Sequence, residues 1–351
     1  MGQKIKAYRL LEWGKPAQVV EVEVPKPASG QILVKVAGNG LCHSDFGMAT
    51  LPKEQGEALG WKMPFTLGHE TGGWVAELGD GVHGLSVGDP VVLMGNNSCG
   101  VCDYCLRGED HNCDNGGYGR GYGRDGGLAD FVLVDSARLV IKLDQLNPVE
   151  AGPLTDAGTT AYHGVKRVLP KLYPGSTAVV IGAGGLGSFA IQLLKVLSPA
   201  RIVAVDTNQA RLDFALELGA HETLIGVNEN TTKDILDLTS GKGANVVLDF
   251  AGFDTTIEAG IAAVCKGGSY GLVGAGFGTY NKPWFGNLPK DGEVFNYQGG
   301  SISDTKEVIK LAEAGLIRNE VEIFPFSQIE EAYDKLHKGK LRGRAVVTPG
   351  S

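Results

Sequence analysis

Gly182-Ala183-Gly184-Gly185-Leu186-Gly187 is a G-x-G-x-x-G turn, and few folds accommodate one in this setting. It directly follows an apolar run, Thr177–Ile181, of the buried-strand kind, and it opens a stretch, 186–197, with apolar residues at helical spacing. A second apolar run, 201–205, leads to Asp206, nineteen residues beyond Gly187. Strand, glycine turn, helix, strand and acid in that order form a dinucleotide-binding fingerprint. Each glycine has its own reason. Gly182 permits the tight turn, Gly184 keeps a side chain off a pyrophosphate, and Gly187 lets helix and strand pack closely. Gly185 and Leu186 complete the loop, where phosphate charge meets the positive end of a helix. Asp206 can accept hydrogen bonds from both ribose hydroxyls and would repel a 2′-phosphate, which favours NAD over NADP. Arg211 is the residue that could turn toward such a phosphate.

The alternation continues along the chain. Gln209–Leu218 has helical periodicity, and 246–250 and 269–273 are further strand candidates. This predicts an α/β fold with a Rossmann doubly wound parallel sheet. Before Asn147-Pro148 the pattern differs: short strand-like runs, such as 32–36 and 87–94, stand between Gly, Pro and Asp. From about Asp304 two helical segments lead to a closing strand, Arg344–Thr348. The 351 residues exceed the usual ~50–250 of one domain. Two domains are expected: 158–298 for the dinucleotide, and 1–157 with 299–351 as a partly β domain.

Charge and targeting narrow the function classes. The net charge is −8, which argues against a general affinity for nucleic acid or anionic membrane. No apolar run approaches the ~20 residues of a membrane span. The N-terminus has no signal-peptide pattern, and Lys6 stands where a myristoylation signal needs Ser or Thr. A cytoplasmic protein is expected, in which cysteines read as metal ligands before disulfides.

Cys99, Cys102, Cys105 and Cys113 fall in fifteen residues with C-x2-C-x2-C-x7-C spacing. Four thiolates suit a closed, tetrahedral structural zinc. An iron–sulfur site and disulfides are the alternatives. A zinc ribbon gripping nucleic acid conflicts with the flanking Asp103, Glu109, Asp110 and Asp114. The next segment, 116–127, holds seven glycines, with Tyr118, Arg120, Tyr122 and Arg124 among them. It imitates a Gly/Arg-rich RNA-binding tract, but it is short and unrepeated, and it reads as a flexible surface loop. The sixth cysteine, Cys265, reads as buried packing.

Cys42, in Gly40-Leu41-Cys42-His43-Ser44-Asp45, and His69, in Gly68-His69-Glu70, each read alone as ordinary interior residues. Together with the cysteine lobe, the glycine turn and Gly343-Arg344, in this order, they change meaning. The chain resembles the zinc-dependent alcohol dehydrogenases of the medium-chain dehydrogenase/reductase superfamily over essentially its whole length. Pro153-Leu154-Thr155-Asp156-Ala157-Gly158 is most similar to bacterial secondary-alcohol and aryl-aldehyde-reducing members. The resemblance implies a GroES-like first domain and two zinc ions per chain, one catalytic and one structural. It implies that Cys42 and His69 are catalytic zinc ligands. Asp156 takes the third place, where many members carry Cys, and Glu70 alternates with water at the fourth. Asp45 would orient His69 or a neighbouring group.

The reaction implied is reversible hydride transfer between an alcohol carbon and NAD, with Ser44 hydrogen-bonding the substrate oxygen. Some relatives carry a proton-relaying His three residues after this serine, where this chain has Gly47. His43 and Arg344 match cofactor-phosphate contacts, against the alternative of solvated surface charges. Phe46, Trp61 and Met94, with Tyr297 or Phe295, would form an apolar, aromatic-tolerant substrate pocket, or else ordinary core. A polyol or glutathione-linked formaldehyde dehydrogenase is the alternative function. A homo-oligomer is implied, with a tetramer favoured over a dimer. No nucleic-acid or membrane partner is expected.

Overall fold

The computed structural model describes residues 3–228 and 230–350. The run Thr177–Ile181 is buried at every position, and a strand buried on both faces needs neighbours on both edges. It has them. Glu222–Ile225, Arg201–Asp206, Thr177–Ile181, Ala244–Asp249, Val264–Leu272 and Glu293–Asn296 lie in that order in one sheet, each pair parallel. Counted along the chain, the order is 3-2-1-4-5-6, the doubly wound arrangement. The order reverses between Thr177–Ile181 and Ala244–Asp249, so the glycine turn leaves the sheet at its switch point. Helices Gly187–Leu197, Gln209–Leu218, Thr231–Leu238 and Asp254–Ala262 connect the strands. Gln209–Leu218 occupies its expected bounds because both ends are signalled. The Asn208 side chain accepts from Ala210 N–H at its start, and Gly219 turns left-handed at its end, with φ 116°.

Residues up to Thr159 and from Gly299 onward form one unit, and Thr160–Gln298 the other. The first division falls two residues beyond the expected boundary, inside helix Ala157–Val168. The first unit is built on a seven-stranded sheet in the order Val140–Lys142, Pro90–Leu93, Glu70–Leu78, Ile32–Gly40, Arg344–Thr348, Val321–Pro325, with Phe131–Val134 also on Ile32–Gly40. A three-stranded sheet joins Gln18–Glu23, Lys4–Leu10 and Phe65–Thr66. The closing strand pairs antiparallel with Ile32–Gly40, Val346 opposite Gly40. This brings the last residues of the chain beside Cys42, where Leu41 N–H donates to Ala345 O at 3.0 Å.

Two expectations fail in these units. The segment 116–127 is not a flexible surface loop. Gly119–Arg120 pairs with Gly123–Arg124, and its glycines lie where backbones nearly touch. A Cβ at Gly119 would stand 2.3 Å from Gly95 O, and one at Gly126 2.2 Å from Gly68 O. Glycine here serves close packing rather than mobility. Cys265, expected to be buried, is half-buried on strand Val264–Leu272.

Candidate active site

The ligand-bearing residues sit at the ends of strands held together by glycine. Cys42 follows Ile32–Gly40, Glu70 begins Glu70–Leu78 and His69 immediately precedes it. Gly68 has φ 101°, and a Cβ there would stand 2.7 Å from Leu128 N. Asp156 follows the short helix Gly152–Thr155. A Cβ on Gly152 would stand 2.1 Å from Glu70 O, so glycine lets that helix press on the Glu70 strand. One ligand atom each from Cys42, His69, Glu70 and Asp156 lies within 4.8 Å of the others.

The electrostatics of the cluster fit a cation. His69 Nε2 is 3.6 Å from Asp156 Oδ2, and His69 Nδ1 is 3.4 Å from Asp45 Oδ1. Burial opposes charge on His69, yet Tyr122, Asp45 and Asp156 raise its pKa well above the ordinary value. Burial pushes Glu70 up to about 8 against the pull of Arg344. Burial also acts upward on Asp156, but His69 and Arg344 hold it at about 2. Glu70 Oε2 and both His69 ring nitrogens have no hydrogen-bond partner among the described residues. Buried polar atoms left so are costly, and a thiolate, an imidazole and two carboxylates are a donor set for zinc.

The four cysteines form a second cluster with all ligand atoms within 4.8 Å. Cys99–Cys105 and Cys102–Cys113 sulfurs are 4.0 and 3.9 Å apart, far beyond an S–S bond of about 2.05 Å. The disulfide alternative is thereby removed, and the six cysteines are free. A tetrahedral ion with Zn–S of about 2.3 Å sets S···S near ~3.8 Å, which these distances match. Backbone N–H groups of Cys99 and Asn115 point at Cys113 Sγ, and that of Cys102 at Cys99 Sγ. Backbone N–H groups of Val101 and Cys102 lower Cys99 to about 6, whereas burial pushes Cys113 up to about 12. Four thiolates this close all ionise only around a cation.

The structure separates the remaining expected site residues. Ser44 Oγ lies 3.1 Å from the Tyr122 hydroxyl. Asp45 is buried, with Oδ2 accepting from Cys42 N–H at 3.1 Å and from the Tyr333 hydroxyl at 3.0 Å. His43 is exposed. Arg344 is no surface charge. It is 3% exposed and its guanidinium pairs with Glu70. Of the pocket candidates, Met94 lines a cavity with His69, Tyr122 and Asp156. Trp61 instead stands behind Tyr122, its ring 6.3 Å away, with its indole N–H on Gly117 O. Phe46 packs on Tyr333 and His337. Tyr297 and Phe295 belong to the other unit, where the Tyr297 ring lies tilted 5.9 Å from His163 and Phe295 lies under Arg167. Trp61 is buried and Phe46 half-buried, each packed among aromatic rings.

Tyr122 and Tyr333 escaped the sequence reading. Tyr122 packs on His69 at 4.6 Å between ring centroids. Its only signal is an aromatic residue inside a glycine-dense run. Tyr333 lies 288 residues from Asp45, its partner, and no local pattern marks that contact.

At the glycine turn the three conserved-spacing glycines differ. Gly182 has φ 86°. A Cβ on Gly187 would stand 1.9 Å from Gly182 O. Gly184 is crowded by nothing closer than the Arg211 guanidinium, 3.7 Å from where its Cβ would be. Helix Gly187–Leu197 has no side-chain cap, which suits an anionic ligand at its start. Asp206 accepts from Ala183 N–H at 2.8 Å and Asn208 N–H at 2.9 Å. Arg211 stands 3.8 Å from it.

A doubly wound sheet with this turn, carried on one chain with a four-ligand cation site, defines the class of metal-dependent, nucleotide-linked dehydrogenases. Comparison with known proteins sharpens this. Residues 28–145 match the alcohol dehydrogenase GroES-like domain family, and 185–314 the zinc-binding dehydrogenase family. An NAD-dependent alcohol dehydrogenase of Sulfurisphaera tokodaii is 37% identical, over 98% of this chain and all of the relative. A D-arabinose 1-dehydrogenase (NADP(+)) of Saccharolobus solfataricus is 32% identical, over 99% of this chain and 98% of the relative. The crystal structure of an alcohol dehydrogenase from Aeropyrum pernix superposes with TM-score 0.90 at 36% identity, covering 98% of this chain and 100% of that one. The chain belongs to the zinc-binding alcohol dehydrogenase family.

Proposed function

We propose that this protein interconverts medium-sized apolar or aromatic alcohols with their aldehydes or ketones, using NAD(H). The convergence of Cys42, His69, Glu70 and Asp156 carries this reading. When bound, zinc supplies Lewis acidity to the substrate oxygen and NAD the site for hydride. Cys42, His69 and Asp156 hold the metal, and Glu70 divides its carboxylate between that site and Arg344. Asp45 Oδ1 faces His69 Nδ1 at 3.4 Å, and Nε2 faces Asp156 among the other ligands. Ser44 holds and passes the substrate proton, with the Tyr122 hydroxyl as its neighbour. Gly47 offers no side chain to extend the path.

The reading includes two zinc ions per chain, the second on Cys99, Cys102, Cys105 and Cys113, supported by the tetrahedral sulfur spacing. It places Gly182, Gly184, Gly185, Leu186 and Gly187 on the cofactor pyrophosphate, and Asp206 on the ribose. His43 keeps its role near the pyrophosphate. NAD is preferred to NADP because Asp206 would face a 2′-phosphate, with Arg211 near enough to soften that preference. A cytoplasmic homotetramer is proposed; free cysteines suit a reducing compartment, and no helix among the described residues is long and apolar enough to cross a membrane.

A polyol or sugar is the second reading. Asn96, Thr155 and the Tyr122 hydroxyl line the cavity beside Asp156, and one relative is a D-arabinose dehydrogenase. A survey of alcohols and sugars with NAD and NADP decides between them; strong activity on D-arabinose or sorbitol alone would overturn the first. In the same assay Ser44→Ala should lower turnover about 10²–10⁴-fold and leave NAD affinity unchanged. Unaltered turnover under rate-limiting chemistry would remove Ser44 from the proton path.

A further inference from the structure

Among the described residues, two regions hold more than one buried polar atom without a hydrogen-bond partner. One is the ligand cluster just described. The other consists of the Nε atoms of Arg9 and Arg120, and both arginines line one cavity of about 250 Å³ in the first unit. That is several times the ~30 Å³ share of a water molecule. Neither the metal sites nor the glycine turn uses it.

Arg120 is the unusual member. It is 5% exposed, and its guanidinium donates to Met94 O. Burial lowers its pKa to about 10. The acids lining the cavity are already paired, Asp125 with Arg9 at 3.0 Å and Asp135 with Arg124. Glu23 is exposed at the rim, where water screens it. Arg120 thus shares Asp135 with Arg124 and has no carboxylate within ion-pair distance among the described residues, so a further anion beside it is favoured. The strand side chains of Ile5, Val22 and Phe131 supply an apolar wall.

We propose that this cavity binds a small monocarboxylate with an apolar body, the carboxylate on Arg120 and Arg9 and the body against Ile5, Val22 and Phe131. The charge selects a monoanion, because a second negative charge would face Asp125 and Asp135. A guanidinium pairs with a carboxylate through parallel N–H donors, and apolar contact favours an aliphatic or aromatic body over a sugar acid.

The cavity communicates with the active site through a shared wall. Gly95 and Asn96 line both it and the cavity beside His69 and Asp156. Arg120 pins that wall twice, through its side chain on Met94 O and its backbone N–H on Gly95 O at 2.9 Å. A carboxylate that draws the guanidinium off Met94 O loosens the wall, so occupancy changes turnover without competing for the alcohol site.

Benzoate titrated by calorimetry into the zinc-loaded enzyme with NAD tests this. One binding event per chain is expected, with Kd of about 0.1–1 mM. Arg120→Gln should weaken it at least about 10-fold. Val22→Trp, on the partly exposed strand at the rim, should fill the cavity and abolish binding while basal alcohol turnover stays unchanged. If Arg120→Gln does not fold, Val22→Trp carries the test alone. Benzoate should lower or raise kcat without raising KM for alcohol. Absence of binding up to about 10 mM overturns the proposal. So does binding that survives Val22→Trp or competes with alcohol, since either places the carboxylate at the metal ligands. Binding heat does not depend on which alcohol is the substrate, so this result stands apart from the functional reading.

Discussion

Asp45 is where residue-scale chemistry decides the quality of the site. One carboxylate oxygen faces His69 Nδ1 at 3.4 Å, and the other accepts from Cys42 N–H and the Tyr333 hydroxyl. The Tyr333 ring is held in turn by Tyr8, stacked at 5.7 Å. A carboxylate so bound cannot rotate away from the imidazole, and ligands fixed before the metal arrives bind it more tightly. Tyr333→Phe keeps the ring and removes one donor. Its zinc affinity, read by competition with a chromophoric chelator, should fall about 10-fold, with the stability of the metal-free protein lowered by only about 1 kcal/mol. An affinity equal to the parent's would show that Tyr333 merely fills space. Asp45 stood out in the sequence through the resemblance carried by Gly40–Asp45. Tyr333 did not, because its contact depends on a helix packed from the far end of the chain.

At the scale of elements, the glycine-dense segment is the instructive case. Its composition signals backbone freedom, and composition alone does not say whether that freedom serves motion or close contact. The fold chooses contact, since Gly121, Gly126 and Gly127 pack on residues 67–71, the stretch that contains His69. A Cβ on Gly126 would meet only backbone, Gly68 O at 2.2 Å and Leu67 O at 2.7 Å, and backbone cannot move aside as a side chain can. Gly126→Ala should therefore destabilise the protein by about 1–3 kcal/mol and weaken metal binding at His69, both followed in chelator-dependent melts. Gly47→Ala is the control, because nothing lies within 4 Å of its Cβ position; an equal loss from both would refute the packing account. Elsewhere, elements with strong local signals kept their expected bounds, as Thr177–Ile181, Gln209–Leu218 and Arg344–Thr348 did. The run 87–94 shrank to Pro90–Leu93, because its register is set by pairing with Glu70–Leu78 and Val140–Lys142 rather than by its own apolar residues.

For the whole molecule, the two clusters of ligands predict a stepwise response to metal removal. Elemental analysis should find two zinc ions per chain. The Cys42 cluster has two carboxylates, and Asp156 keeps a 27% exposed side chain; the four cysteines are closed and supported by backbone donors. Graded chelation should first abolish turnover with little change in melting temperature. Loss of the second ion should then lower the melting temperature sharply, since structural zinc contributes on the order of 10–16 kcal/mol of apparent binding energy in small domains. Simultaneous loss of both, or full activity with one ion, would contradict the division of labour.

Much of this protein follows from sequence alone. The glycine turn with its strand and Asp206 determines a dinucleotide fold, and four cysteines in fifteen residues mark a candidate metal lobe, because both are local: spacing along the chain is spacing in the structure. The ligand set Cys42, His69, Glu70 and Asp156 was legible only by resemblance, since 114 residues separate the first from the last. Tertiary structure alone decided what surrounds them. It turned Arg344 from a surface or cofactor charge into the buried partner of Glu70, brought Tyr122 over His69 and Tyr333 onto Asp45, and packed Phe46 on Tyr333 and Trp61 on Gly117 O. Each of these depends on which strand lies beside which, and in a sheet whose last strand returns to pair with its first, that is settled by long-range burial rather than by neighbours in sequence.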